Sequence, residues 1–184
     1  SAFDVVISTK GPSYLVQHPR HLCYMVHRPR VFYDMYEDLG AEHARRRDLI
    51  HGLDTQALTP PRTQRLYCIG KTVQKRLEKF GGLASEVIYP GTDLDGFYCA
   101  GYEHFLFVSR LHHWKRGDLA IRAFRKTSVD VPFIIAGSGP DEEAWKELAA
   151  GDPRIRFTGQ VSQEQLYDLY ARALAVIFPP INED

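Results

Sequence analysis

The sequence is poor in cysteine, carries no net charge and has no long apolar run. Cys23, Cys68 and Cys99 are few, odd in number and widely spaced. That argues against a disulfide framework or a zinc site and fits a reducing compartment. Lysine plus arginine equals aspartate plus glutamate, 23 each, so no overall field draws the chain to nucleic acid or to an anionic membrane. The basic clusters Arg28/Arg30 and Arg45-Arg46-Arg47 read as solvated faces. No apolar stretch approaches the ~20 residues that a membrane-spanning helix needs, and no signal peptide opens the sequence. A cytoplasmic protein is expected, with a peripheral place on the inner face of a membrane left open. Internal repeats and low-complexity segments are absent.

What is present is an ordinary globular composition, 44% hydrophobic and 25% charged over 184 residues, with room for one large domain or parts of two. Short apolar runs alternate with helical patterns, which predicts an α/β fold with parallel sheets. Strands are expected over 3–8, 21–26, 65–69 and 85–89, with helical charges of both signs over 40–49 before the Thr59-Pro60-Pro61 break. Val73, Leu77 and Phe80 share one face of a helix that Gly81-Gly82 stops. The turn residues of 90–98 suggest a connector, so the expected domains are 1–89 and 99–184 with 90–98 between them.

The second half is organised around 105–140. A buried strand begins at Phe105, and Arg110 and Lys115 follow its carboxyl end. Leu119, Ala120, Ala123 and Phe124 then recur at helical spacing. A second buried strand, 132–136, ends in Gly137-Ser138-Gly139. In open α/β sheets ligands bind outside the carboxyl ends of the strands. Two cations beside a glycine turn suit a diphosphate. Pro140 fits the first turn of the next helix, followed by acidic residues suited to its amino terminus. Strand 154–158, a Ser162/Gln165 capping box and a buried strand 173–178 complete the pattern. His112 and His113 read as loop packing, because adjacent residues do not converge on one ion. The abrupt ends, a strand directly after Ser1-Ala2 and a stop at Glu183-Asp184, lead to the expectation of a fragment of a longer protein.

Four motifs, in register, carry a family resemblance: Val108-Ser109-Arg110-Leu111 with Lys115, Ala136-Gly137-Ser138-Gly139-Pro140, Phe157-Thr158-Gly159-Gln160-Val161-Ser162, and Pro179-Pro180-Ile181-Asn182-Glu183. They resemble the retaining GT-B glycosyltransferases, the large group that includes sucrose synthases and bacterial α-mannosyltransferases. The stretch 87–97 resembles that family's interdomain connector. The resemblance implies two Rossmann-like domains, both incomplete in this chain. It also implies transfer of a sugar, with retention, from a nucleotide-sugar donor such as GDP-mannose or UDP-glucose to a carbohydrate or lipid-linked acceptor, as in polysaccharide biosynthesis. Arg110 and Lys115 match the pair that holds the donor diphosphate, and Gly137, Ser138 and Gly139 match the loop that lets the donor approach the backbone. Glu183 matches the glutamate on the transferred sugar, and His27 the histidine facing that sugar. No Asp-x-Asp metal site is assigned, so the cation pair is expected to replace a divalent ion. An epimerase of the same architecture and a non-catalytic nucleotide-sugar-binding subunit are the alternatives.

Overall fold

The computed structural model describes residues 2–181. The chain divides between Thr92 and Asp93 into two compact units. Each unit is α/β and built on a four-stranded, all-parallel sheet.

The first unit runs β1 (Val6–Lys10), β2 (His21–His27), α1 (Ala41–Leu58), β3 (Arg65–Cys68), α2 (Lys71–Gly81) and β4 (Glu86–Val87), with sheet order β1-β2-β3-β4. Along β2, His21, Cys23 and Met25 are buried while Leu22 and Tyr24 are half-buried, the alternation that a pleated strand imposes. The first strand begins later than expected, at Val6, and Phe3, Val5 and Ile7 are exposed; it is an edge strand with one uncovered face. The expected strand 85–89 contracts to two residues at the other edge. Helix α1 continues past Leu49 to Leu58, and Thr59 is extended, as a residue before proline must be. Val73 and Leu77 of α2 are buried, and Gly82 closes that helix at φ +59 with its N–H on the Glu78 carbonyl.

Polar residues inside this unit pair with one another. Asp54, 3% exposed, accepts hydrogen bonds from the Tyr14 and Tyr33 hydroxyls, both at 2.6 Å. Burial, reinforced by that carboxylate, pushes both phenols above their ordinary range. His21 joins Ser8 and the Arg62 carbonyl at 2.7 and 3.1 Å.

The second unit runs β5 (His104–Val108), α3 (Gly117–Phe124), β6 (Phe133–Ala136), α4 (Glu142–Ala149), β7 (Ile155–Gly159), α5 (Gln163–Ala171) and β8 (Ala173–Val176). Its sheet order is β7-β6-β5-β8. The chain therefore winds outward from β5 to β7 and returns to place β8 on the other side of β5. That reversal is a topological switch point, where α/β sheets open a crevice. The core packs Phe107, Ile121, Phe124, Phe133, Ile135 and Trp145 around the central strands.

Three details differ from expectation. Leu119 is exposed, and α3 buries Ala120, Ile121 and Phe124 instead. Helix α4 begins at Glu142 with Asp141 as its N-cap, so Pro140 precedes the helix. Strand β8 has an edge position and is largely exposed rather than buried. The capping box at α5 forms as expected, with Ser162 and Gln165 bonding each other's backbone N–H. Among the described residues no helix is long and apolar enough to cross a membrane.

The turn into β7 is fixed by a forked pair. Arg154 donates to both Asp152 oxygens at 2.9 and 2.7 Å, and also to the Thr127 and Val129 carbonyls at 3.1 and 2.7 Å. The guanidinium holds the Asp152 carboxyl down at about 2. A carboxyl lowered in the folded state lends stability above its ordinary pKa, and that stability is lost as pH falls toward the folded value. Asp152→Asn is therefore expected to flatten the stability–pH curve between about pH 4 and pH 2, as measured by urea unfolding at stepped pH. An unchanged slope would show that the pair contributes nothing to folding.

Candidate nucleotide site at the end of strand β5

Residues 109–111 leave the carboxyl end of β5, and 137–139 leave the carboxyl end of β6. Three backbone hydrogen bonds hold the two loops together. Ser109 N donates to the Ala136 carbonyl at 3.2 Å, Leu111 N to Ser138 at 2.9 Å, and Asp141 N to Leu111 at 3.1 Å. Two glycines make this approach possible. A Cβ on Gly137 would lie 2.0 Å from the Ser109 carbonyl oxygen, and one on Gly139 would lie 2.2 Å from that of Leu111. Gly137 also sits at φ +125, with its N–H on the Gly159 carbonyl at 2.8 Å. The glycines serve the contact between loops as well as any approach by a ligand.

Beside this seam lies an open cleft of about 700 Å³, lined by Ser109, Arg110, Gly137, Ser138, Gly139 and Gln160 among others. Arg110 is exposed at its rim. The structure thus brings together Arg110 and Gly137-Ser138-Gly139. Lys115 is not among the described residues lining that cleft. It closes the 3₁₀ turn His113–Lys115, and its ammonium stands 5.3 Å from the centre of the Phe178 ring. Glu183 lies outside the described residues. His27 is exposed at the carboxyl end of β2 in the first unit and donates through Nδ1 to the Arg28 carbonyl at 2.9 Å.

Sequence reasoning overlooked several neighbours. Gln160 and Val161 line the cleft, and their signal lay in the Gly159-Gln160-Val161 motif after β7. Arg28, read as part of a solvated face, is 7% exposed, and its guanidinium nitrogens have no hydrogen-bond partner among the described residues. It lies over the Tyr33 ring at 4.9 Å. Nearby, Asp34 takes a forked contact from Arg30 at 3.1 and 3.3 Å and another from Arg76 at 3.0 Å. Asp93-Leu94-Asp95 does have the Asp-x-Asp form, against the reading above. It lies in the exposed stretch before β5, with Asp93 accepting the Asp95 N–H at 2.9 Å. His112 and His113 do converge: one ligand atom from each, with one from Asp141, all lie within 4.8 Å of one another.

These features define a class, an α/β protein whose fold matches GT-B glycosyltransferase structures. Residues 102–184, the second unit almost entire, match the family model described as glycosyl transferases group 1. The sucrose-phosphate synthase of Thermosynechococcus elongatus aligns with a TM-score of 0.71 and 18% identity, over 97% of this chain and 51% of its own. Anabaena HepE, solved with UDP and glucose, aligns at 0.62 and 17% over 86% and 46%. A TarM variant from S. aureus, solved with UDP, fondaparinux and α-GlcNAc-glycerol, aligns at 0.63 and 15% over 91% and 34%. The chain spans about half the length of the first of these proteins and less of the others. At such identities the likeness is one of fold. No curated protein matches the sequence.

Proposed function

We propose that the second unit binds the nucleoside diphosphate of a sugar donor, and that the protein transfers the sugar to an acceptor hydroxyl with retention. The observation that carries this reading is the placement of Arg110 and Gly137-Ser138-Gly139 around one cleft at the end of β5. Two relatives in fold, HepE and TarM, were solved with UDP, and HepE also with UDP-glucose. A uridine donor is therefore the first to test, with a guanosine donor beside it.

The chemistry follows from charge. When the glycosidic bond breaks, the departing diphosphate gains negative charge, and fixed cations beside it stabilise the transition state more than the ground state. Arg110 offers a planar fork to phosphate oxygens, and Lys115 a point charge on the same loop. Together they are assigned the work that a divalent ion does elsewhere. The hydrogen-bonded seam fixes the backbone on which Arg110 and Gly137-Ser138-Gly139 are placed. The resemblance extends this reading to His27 and Glu183, on the transferred sugar, with attack from the face the leaving group departs.

Calorimetry of the full-length protein with UDP and GDP, against Arg110→Ala/Lys115→Ala, tests the reading. Each lost charge-assisted contact costs about 1.5–3 kcal/mol, roughly ten- to over a hundredfold in affinity. One nucleotide is expected to bind the parent and not the double variant. Equal binding by both proteins, or by neither, would reduce the two residues to surface charges.

A further inference from the structure

We propose a metal site for a divalent transition ion of the zinc class, made by His112, His113 and Asp141. It is separate from the nucleotide cleft and does not depend on the donor reading. Two imidazoles and one carboxylate are the ligand chemistry of Zn²⁺, Co²⁺ or Ni²⁺; Mg²⁺ and Ca²⁺ favour all-oxygen sets. The three ligand atoms already lie within 4.8 Å of one another. The two imidazole rings are 4.1 Å apart at their centres, and His113 Nδ1 stands 3.8 Å from Asp141 Oδ2. Ligands at about 2.0–2.2 Å from a tetrahedral ion are about 3.4 Å apart. Closure therefore asks for about an ångström of movement, within reach of two partly exposed rings.

A second observation points the same way. Asp141 Oδ2 is shielded from solvent and has no hydrogen-bond partner among the described residues. A buried carboxylate oxygen without a donor calls for an explanation, and a cation between it and the two imidazoles supplies one. The backbone beneath the ligands is also fixed. Asp141 is the N-cap of α4, and its N–H bonds the carbonyl of Leu111, the residue just before the histidines. His112 Nδ1 is engaged by a long contact of 3.4 Å from the Trp114 N–H, which a metal would displace at small cost.

The site faces a different cleft from the nucleotide. His113 and Asp141 line an opening of about 600 Å³ with Asp118, Trp145 and Glu147, and none of these residues lines the 700 Å³ cleft. A bound ion would tie the loop after β5 to the start of α4, across the same seam that Gly137 and Gly139 allow. Its work would be to hold that seam, with a water completing the coordination.

Trp114 gives the test an internal reporter, with its ring 5.1 and 5.5 Å from those of His112 and His113. Full-length protein stripped by a chelator would be titrated calorimetrically with ZnCl₂, and by fluorescence with CuCl₂. One Zn²⁺ per chain, and copper quenching that chelator reverses, are expected. Excess MgCl₂ should not compete. His113→Ala and Asp141→Asn should each weaken Zn²⁺ at least about tenfold, a cost that outer-shell partners alone can reach. His112→Ala/His113→Ala should abolish binding while the far-ultraviolet circular dichroism stays unchanged. Absence of Zn²⁺ binding to the parent protein would overturn the proposal. So would Zn²⁺ binding that survives in the double histidine variant, since six histidines lie elsewhere in the chain.

Discussion

Gly137→Ala is expected to cost the second unit about 2–6 kcal/mol, enough to unfold it or leave it barely folded. Two independent penalties add. A side chain at φ +125 stores about 1–3 kcal/mol of backbone strain. The new Cβ would also lie 2.0 Å from the Ser109 carbonyl oxygen, and relieving such overpacking typically costs another 1–3 kcal/mol or so. The obstacle is backbone, fixed by the Ser109–Ala136 and Leu111–Ser138 hydrogen bonds, so no flexible side chain can move aside. Gly151→Ala supplies the control. Gly151 is also at positive φ, +84, but nothing lies within 4 Å of its missing Cβ, so only the conformational cost of about 1–2 kcal/mol applies. Both tryptophans, Trp114 and Trp145, are in the second unit, so urea unfolding followed by tryptophan emission reads this unit directly. If the two variants unfold alike, the seam between the loops is softer than its geometry implies.

The α/β class and the succession of strands along the chain were legible because buried parallel strands leave short apolar runs, and β5 and β6 sit within a residue or two of where those runs lie. Edge strands were harder. A strand with one open face need not be apolar throughout, so the apolar runs place β1 too early and make β4 too long, and β8, apolar in sequence, reads as a buried strand though it is largely exposed. That Arg110 and Gly137-Ser138-Gly139 meet at one cleft was legible, because residues at carboxyl strand ends share one sheet edge whatever the side-chain details. Lys115 shows the limit of that argument. Loop spacing places it near the strand end, yet it packs over Phe178 rather than lining the cleft.

Convergence across long sequence gaps was the least legible. His112 and His113 looked unable to meet an ion as neighbours, and nothing in their spacing announces Asp141, 28 residues after His113. The hydrogen bond from Asp141 N to the Leu111 carbonyl is what brings them together, and it exists only once β5 and β6 have paired. Arg28 is a comparable case. A charged residue beside Pro29 and Arg30 reads as a solvated loop, but the Tyr33 ring and α2 enclose it. A Cβ on Gly81 of that helix would come within 2.9 Å of its guanidinium.

Asp54→Ala is expected to destabilise the first unit by about 2–6 kcal/mol. The Tyr14 and Tyr33 hydroxyls both donate to this carboxylate, and each would be left buried without an acceptor, at about 1–3 kcal/mol apiece. Asp54→Asn keeps an acceptor oxygen and should lose roughly half as much. Alkaline pH approaches the same network from the phenol side. A phenol whose folded pKa is raised lends stability that is complete below its ordinary value near 10 and is lost as pH climbs above it. The parent protein should therefore lose stability steeply above about pH 10, and Tyr14→Phe/Tyr33→Phe should show a shallower fall from a lower starting point. Hydrogen exchange read on peptides covering β2 and β3 measures both effects in this unit. Protection in Asp54→Ala within about 1 kcal/mol of the parent would mean that the two tyrosines find water, and that the carboxylate does not organise this core.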